Sequence, residues 1–341
     1  MLTRQQLPIA RYRFTAQLQE ELWLPEYAGS LFRGQFGAAL RRLSCMTRLS
    51  DCHKCPLKQT CAYTQIFQPI PPEKHELQAF SAIPAGYIIV PPMPKGGYQQ
   101  EYISRQFKPA GACIEFEMVL IGHVRKQLPL IIYAWQRALQ RGLTRTRKKA
   151  KLLTVQCLNS MHNHQTGQTQ DFDELWPEFV WTHDTDQVQE HEDNIKLPDL
   201  QSQNISQLKL SINTPLRLQS RGRVIGPQDL NQRILLSALA RRVGLLLEFH
   251  TDDPDWGASA PTVIEFAEQL QAHNQLRWFD WRRYSSRQRQ EMTLGGVVGS
   301  IRLQAEPEAI AAVWPWFWLG QWLHIGKNAS FGMGHYRLYW H

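Results

Sequence analysis

"HIGKNASFGMGHYRLYW", residues 324–340, sets Gly326, Gly332 and Gly334 within nine residues and then runs into an alternating apolar stretch. Residues without a Cβ reach positive φ and let backbone N–H groups approach an anion closely, so the composition suggests a loop facing phosphate. The familiar phosphate loops open a helix after a strand. Here the order is reversed. The glycines follow an apolar helical stretch, "PEAIAAVWPWFWLGQWL" (307–323), and precede a strand, "HYRLYW" (335–340). Helix, loop and last strand are the closing pieces of a βαββαβ unit.

The other pieces lie upstream in the right order. "QLKLSINTPLRL" (207–218) reads as a strand and "DLNQRILLSALARRVGLLLEF" (229–249) as a long helix, followed by two strands, "LRWFDWRRYSSRQ" (276–288) and "MTLGGVVGSIRLQA" (292–305). The first half repeats the scheme. "IARYRFTAQL" (9–18) alternates as a strand, and "SLFRGQFGAALRRL" (30–43) puts Leu31, Phe32, Phe36, Ala39, Leu40 and Leu43 at helical spacing behind Ser30 as N-cap. Then come "YIIVPP" (87–92), "ACIEFEMVLIG" (112–122), a helix "LPLIIYAWQRALQRG" (128–142) ending at Gly142, and "KAKLLTVQCL" (149–158).

The expected fold is therefore α+β, two tandem ferredoxin-like units. The first spans 1–165 with a Cys-rich insertion at about 45–67, and the second spans 207–341. The acidic, Gln-rich segment 166–206 reads as a linker or insertion, part of which packs on something through Trp176, Phe179 and Trp181. At 341 residues and 43% apolar the chain can bury a sizeable core. The tryptophans of "WPWFWLGQW" are expected there. No apolar run approaches the ~18 residues of a membrane span, and the N-terminus lacks a signal peptide's apolar centre. A cytoplasmic protein without a membrane partner is expected.

The formal charge of +8 is unevenly spread. Residues 165–200 hold ten acids against one lysine, which leaves +17 for everything else. Such an excess favours a polyanionic partner. The stretch 123–151 carries nine Lys or Arg and no acid, and its tail "RTRKKAK" offers Arg147, Lys148 and Lys149. "RWFDWRRYSSRQR" (277–289) interleaves aromatics with arginines, and strand alternation puts Arg283, Ser285 and Arg287 on one face. A hairpin of that make-up suits gripping a polyanion.

Cys45, Cys52, Cys55 and Cys61 are spaced by seven, three and six residues. A tight C-x-x-C pair chelates one ion across a short turn and two flanking thiolates complete a tetrahedron, so structural zinc is the first expectation. An iron–sulfur cluster accepts the same four thiolates, and His53 could replace one of them. Cys113 and Cys157 lie in strand runs and read as core.

Taken in order, "GSLFRGQFGAALRRLSC", "CHKCPLKQTCAY", "RRYSSRQ", "LGGVVGSI" and "HIGKNASFGMGHYRL" resemble the RAMP superfamily of CRISPR systems, and within it the Cas-six family of precursor-RNA processing endoribonucleases. The likeness spans residues 29 to 338. It implies binding of CRISPR repeat RNA and a cut without catalytic metal. A ribose 2′-hydroxyl attacks the adjacent phosphate, leaving a 2′,3′-cyclic phosphate and a 5′-hydroxyl, and the mature crRNA follows. CRISPR effector-complex subunits are further implied partners. In-line geometry, a base, an acid and cations for the developing charge are what such a step needs.

Many members place a histidine at or near the first helix, and this sequence departs from that, since its first 52 residues contain none. Arg33, Arg41 and Arg42 stand there instead, and arginine binds phosphate well but is a poor proton acceptor. The catalytic candidates are Arg33, Arg42, His123 and Tyr284, with His324 and His335 flanking the glycine loop. Arg41, Gly326, Lys327, Asn328, Ser330, Gly332 and Gly334 join the basic residues above as RNA contacts. The alternative is a RAMP subunit that binds RNA in an effector complex and no longer cuts.

Overall fold

The structure is a computed structural model, and it describes residues 6–72, 83–94, 97–98, 104–158, 178–191, 193–198, 204–220, 222–252, 260–285 and 290–341. In the first unit the elements are β1 (Ile9–Leu18), α1 (Gly29–Ser44), β2 (Tyr87–Val90), β3 (Cys113–Ile121), α2 (Leu128–Arg141), β4 (Ala150–Cys157) and β5 (Glu178–Thr182). β1 pairs with β3 and β4, and the antiparallel sheet runs β2-β3-β1-β4-β5. The second unit has β6 (Gln207–Leu216), α3 (Gln232–His250), β7 (Gln271–Ser285), β8 (Gln290–Gln304), α4 (Pro307–Leu323) and β9 (Tyr336–Trp340), in a sheet ordered β7-β8-β6-β9. Numbered within its own unit, each βαββαβ set reads 2-3-1-4, the ferredoxin-like order.

β1 is buried over most of its length because each face meets something. Ala10, Tyr12, Phe14 and Ala16 point into the core under α1 and α2. On the other side Ile9 joins Ile88, Val90, Val119 and Ile121 in a core shared with β6, α3 and α4 of the second unit. The units thus share apolar interior over part of their contact. α4 is buried nearly all round and carries Trp314, Trp316, Trp318 and Trp322, so these tryptophans serve the core as expected. α2 opens with Pro129 in its first turn and ends at Gly142, whose φ of 96° needs no Cβ.

Three expectations change. α1 starts at Gly29, with Ala28 rather than Ser30 at the N-cap, because the Phe32 N–H already donates to Ala28 O at 3.0 Å. β7 begins at Gln271, five residues early, since Gln271–Leu276 pair with Gly299–Gln304 and extend the hairpin. Cys113 is exposed at the start of β3 rather than core, while Cys157 is buried.

The acidic segment is engaged at several points. β5 extends the first sheet, Trp181 is buried, Ile195–Lys196 pair with Gln6–Leu7, and Asp193 takes the Arg125 guanidinium at 2.6 Å. Phe179 is exposed, and Trp176 lies outside the described residues. No helix among the described residues is long and apolar enough to cross a membrane.

Candidate nucleic-acid interface

The glycine loop, which joins α4 to β9, is held by the end of β6 and by the first unit. Gly326, Asn328, Gly332 and Gly334 all have positive φ. A Cβ on Gly334 would stand 1.8 Å from Ile325 O, so the tight path admits only glycine there. Several loop N–H groups are engaged inward: Lys327 N donates to Arg217 O, Gly332 N to Ala329 O and Gly334 N to Pro215 O. Thr214, fully buried in β6, accepts from His335 N at 2.8 Å and donates to Gly332 O at 2.7 Å. From the first unit, the Tyr27 hydroxyl donates to Phe331 O at 2.9 Å. Lys327 stays exposed, and Asn328 and Ser330 are half-buried, so side chains face outward from a backbone tied down beneath them.

Below the loop an aromatic cluster joins three parts of the chain. Tyr27 and Tyr98 come from the first unit, Phe279, Trp281 and Leu294 from the β7–β8 hairpin, and Phe331 and Met333 from the loop itself. Tyr27 and Trp281 stand 4.7 Å apart between ring centroids. Phe279 and Trp281 are therefore structural, not base-stacking, residues of the hairpin.

A cavity of about 800 Å³ lies between the units beside this cluster. Arg11, Arg13, Lys108 and Arg337 line it against Glu115 and Glu117. Burial alone would raise the Glu117 carboxyl, yet Arg11 at 2.5 Å and Arg13 at 3.0 Å hold it below the usual carboxylate range. Glu117 thus keeps two guanidinium groups in place on β1, and the wall as a whole stays cationic. His335 closes the cavity from the loop side, 4.9 Å from the ring of His324. Burial first, then His324 and nearby arginines, push its pKa well down, so the ring is neutral near pH 7. Neither ring nitrogen, both buried, has a hydrogen-bond partner among the described residues. A neutral imidazole on a cationic wall can donate at one nitrogen and accept at the other, toward a base edge or a ribose hydroxyl.

Residues 210–336 match the family model of the CRISPR-associated endoribonuclease Cas6, and residues 7–193 match an N-terminal domain model, AF_1859_N. The second unit is thus similar to the Cas6 family. Its fold is similar to that of a Cas6 (TTHB231) product complex, a Thermus thermophilus protein, at TM-score 0.52 and 14% identity, covering 97% of this chain and 99% of that one. A partial Cas6-RT-Cas1–Cas2 complex matches at TM-score 0.54 and 14% identity, covering 97% of this chain and 45% of that one. No curated protein matches the sequence.

The expected site residues fall into separate groups. Arg33 lies on α1 one turn from its start, with its guanidinium 4.4 Å over the Phe67 ring and beside Tyr87, whose hydroxyl burial pushes up to about 12. Arg41 is turned to the Cys-rich insertion, donating to Leu49 O and Ser50 O, while Arg42 is exposed. His123 sits 5.2 Å from His250 of α3 rather than in the cavity lining. Arg147 and Lys149 are exposed, and Lys148 reaches Glu20 at 3.4 Å. The backbone of Arg283, Tyr284 and Ser285 belongs to β7, but their side chains, like Arg287, lie outside the described residues.

Cys45, Cys52, Cys55 and Cys61 all line one cavity of about 250 Å³. Burial would raise the Cys45 thiol, but hydrogen bonds from Arg48, Arg41 and Thr47 bring it below its ordinary value, whereas burial raises Cys52. The donor set suits a thiophilic ion. Among the described residues, however, no three His, Cys, Asp or Glu side chains stand in a metal-holding arrangement.

Sequence reading had named His335 but missed Arg11, Arg13, Thr214 and Tyr27. "ARYRF" carried the signal for the first two, because cations two apart in an apolar strand share one face and leave the opposite face for the core.

Proposed function

We propose that this protein binds CRISPR repeat RNA along the cationic cavity and cuts it within the repeat, by attack of a 2′-hydroxyl on its own phosphate without a catalytic metal. The observation that carries the reading is the neutral, unpartnered His335 on a wall that also bears Arg11, Arg13 and Arg337, directly after the glycine loop. Arginine side chains neutralise phosphate and developing charge, and the imidazole takes or gives a proton. The products are a 2′,3′-cyclic phosphate and a 5′-hydroxyl, and the retained fragment is crRNA. Lys327, Asn328 and Ser330 face the RNA backbone from the loop, and Arg33, Arg42, His123 and Tyr284 remain candidates for phosphate binding and proton transfer.

The test uses end-labelled cognate repeat RNA with the protein in excess EDTA, beside the same RNA carrying one 2′-deoxy sugar at the cut. A cut that survives EDTA and disappears with the deoxy sugar is expected. Tight binding with no cut would instead favour a non-catalytic RNA-binding subunit of an effector complex, the reading to which the lack of a histidine in α1 points. A cut that EDTA abolishes overturns the metal-free mechanism. We further propose that the four thiols at Cys45, Cys52, Cys55 and Cys61 hold a structural zinc, which the shared cavity supports and which would fasten the insertion to α1.

A further inference from the structure

Two short strands outside the main sheets, Leu22–Leu24 and Gln106–Lys108, pair as an antiparallel ribbon with Trp23 opposite Phe107. Leu22 and Leu24 point inward and are almost fully buried, which anchors the ribbon to the first unit's core. The outer face carries the aromatic pair. Trp23 is 50% exposed and Phe107 47%, with ring centroids 5.1 Å apart and planes tilted by 50°. The Arg105 guanidinium lies 5.9 Å from the Trp23 ring. Single exposed apolar residues are ordinary on a protein surface, but two aromatic rings held together under a guanidinium present π-faces and a cation at one spot. That is the chemistry on which unpaired bases stack.

Position supports the same occupant. Lys108, next in the chain to Phe107, lines the cationic cavity together with Arg11, Arg13 and Arg337. Directly opposed residues in a ribbon share a face, so Lys108 sits on the Leu22 side and Phe107 on the outer side. A strand of RNA leaving the cavity past Lys108 therefore meets the aromatic pair around the edge of the ribbon, one residue away. Size argues against a protein partner. Two half-exposed aromatic side chains offer roughly 200 Å², well below the ~800 Å² per partner of a stable protein interface.

We propose that Trp23 and Phe107, with Arg105, form a stacking platform for unpaired bases of the repeat RNA at the rim of the cavity. This rests on the RNA-binding reading above. The platform adds affinity for a single-stranded flank and takes no part in bond breaking.

The test compares the wild-type chain with W23L/F107L, which keeps apolar, strand-compatible side chains but removes the π-faces, and with W23F/F107Y, which keeps them. Each is titrated by fluorescence anisotropy with cognate repeat RNA, either intact or trimmed of its unpaired flank. The Leu pair is expected to weaken intact RNA by about ten- to a hundredfold, one or two base stacks' worth, and to leave trimmed RNA unchanged. The aromatic pair is expected to restore wild-type binding. Intact RNA carrying 5-bromouridine in the flank should also crosslink to residue 23 or 107 on irradiation.

Unchanged affinity of W23L/F107L for intact RNA, at wild-type melting temperature, overturns the platform while leaving repeat binding in place. So does a loss of the chain's association with another protein that leaves RNA affinity intact, because the face is then a protein contact. A wild-type chain that binds neither RNA overturns the underlying RNA reading, and the platform with it.

Discussion

The carbonyl oxygen of Phe331 lies 1.9 Å from where a Cβ on Gly29 would stand. The glycine loop of the second unit is thus pressed against the first residue of α1, with no room between them. Backbone, unlike a flexible side chain, cannot move aside cheaply, so G29A should cost about 1–3 kcal/mol, as overpacking does. The expected result is a lower melting temperature and weaker repeat-RNA binding, because the loop must lift from α1. A fully stable G29A that binds and cuts like wild type would show that this contact positions nothing.

Thr214 offers a gentler way to loosen the same loop. T214V keeps the shape but removes the acceptor for His335 N and the donor to Gly332 O, both buried. Leaving buried backbone groups unpaired costs about 1–3 kcal/mol. Thermal unfolding should register that loss, and hydrogen exchange should rise at residues 332–335 before it rises elsewhere. T214S, which restores the hydroxyl, should recover the exchange protection.

His335 is expected to set the rate of the cut rather than the grip. H335A should lower single-turnover cleavage of bound RNA by about a hundredfold or more, the range for a lost general acid or base, with affinity changed far less. H335Q keeps hydrogen-bonding groups but cannot exchange a proton near pH 7, so it should bind and fail to cut. Cutting at the wild-type rate by H335Q would return the proton-transfer role to His123 or Tyr284.

His250 makes stability depend on pH. Its Nε2–H donates to Pro84 O at 2.7 Å, and burial first, with His123 and Arg242 behind it, pulls its pKa from 6.5 down to about 4. The folded state therefore binds this proton less readily than the unfolded chain. Stability from His250 is intact above pH ~6.5 and falls as the pH drops toward 4, reaching a loss of roughly 3 kcal/mol below that. His324 and His335 shift in the same direction and add to the slope. Urea melts between pH 7 and 4.5 should show the decline, and H250Q should flatten part of it. An identical slope in H250Q would assign the effect to the other two histidines.

The zinc proposal has a direct check. Metal analysis of protein purified without chelator should find about one zinc per chain, and a C52S/C55S variant should lose it together with stability of the 45–67 insertion. Four freely titratable thiols and no metal would leave the cysteines as ordinary side chains.

Much of the fold was legible because its signals are local. β1 at 9–18, α2 ending at Gly142 and the strand after the glycine loop follow from alternation, helical spacing and a single glycine. The site was less legible because it is assembled across the chain. Arg11 and Glu117 meet from positions 106 residues apart, and Tyr27 reaches Phe331 across 304. The start of α1 was missed by two residues for a related reason, since Ser30 has the chemistry of a cap but Gly29 has the space the loop requires. Burial also decides the state of His335, and a sequence does not display burial of a single histidine.

The aromatic cluster of Tyr27, Tyr98, Phe279, Trp281 and Phe331 riveted through both units has a consequence for the substrate. Close-packed interiors yield little, so the loop, the hairpin base and the first unit act as one rigid jig. In-line alignment of a 2′-hydroxyl with its phosphate needs an unusual backbone twist at the cut. With the protein unable to flex around a strand, that twist falls to the RNA. On the proposed 2′-hydroxyl mechanism, repeats would then be chosen by how easily they contort at one step, and a sequence that binds well but stays stiff there would act as an inhibitor.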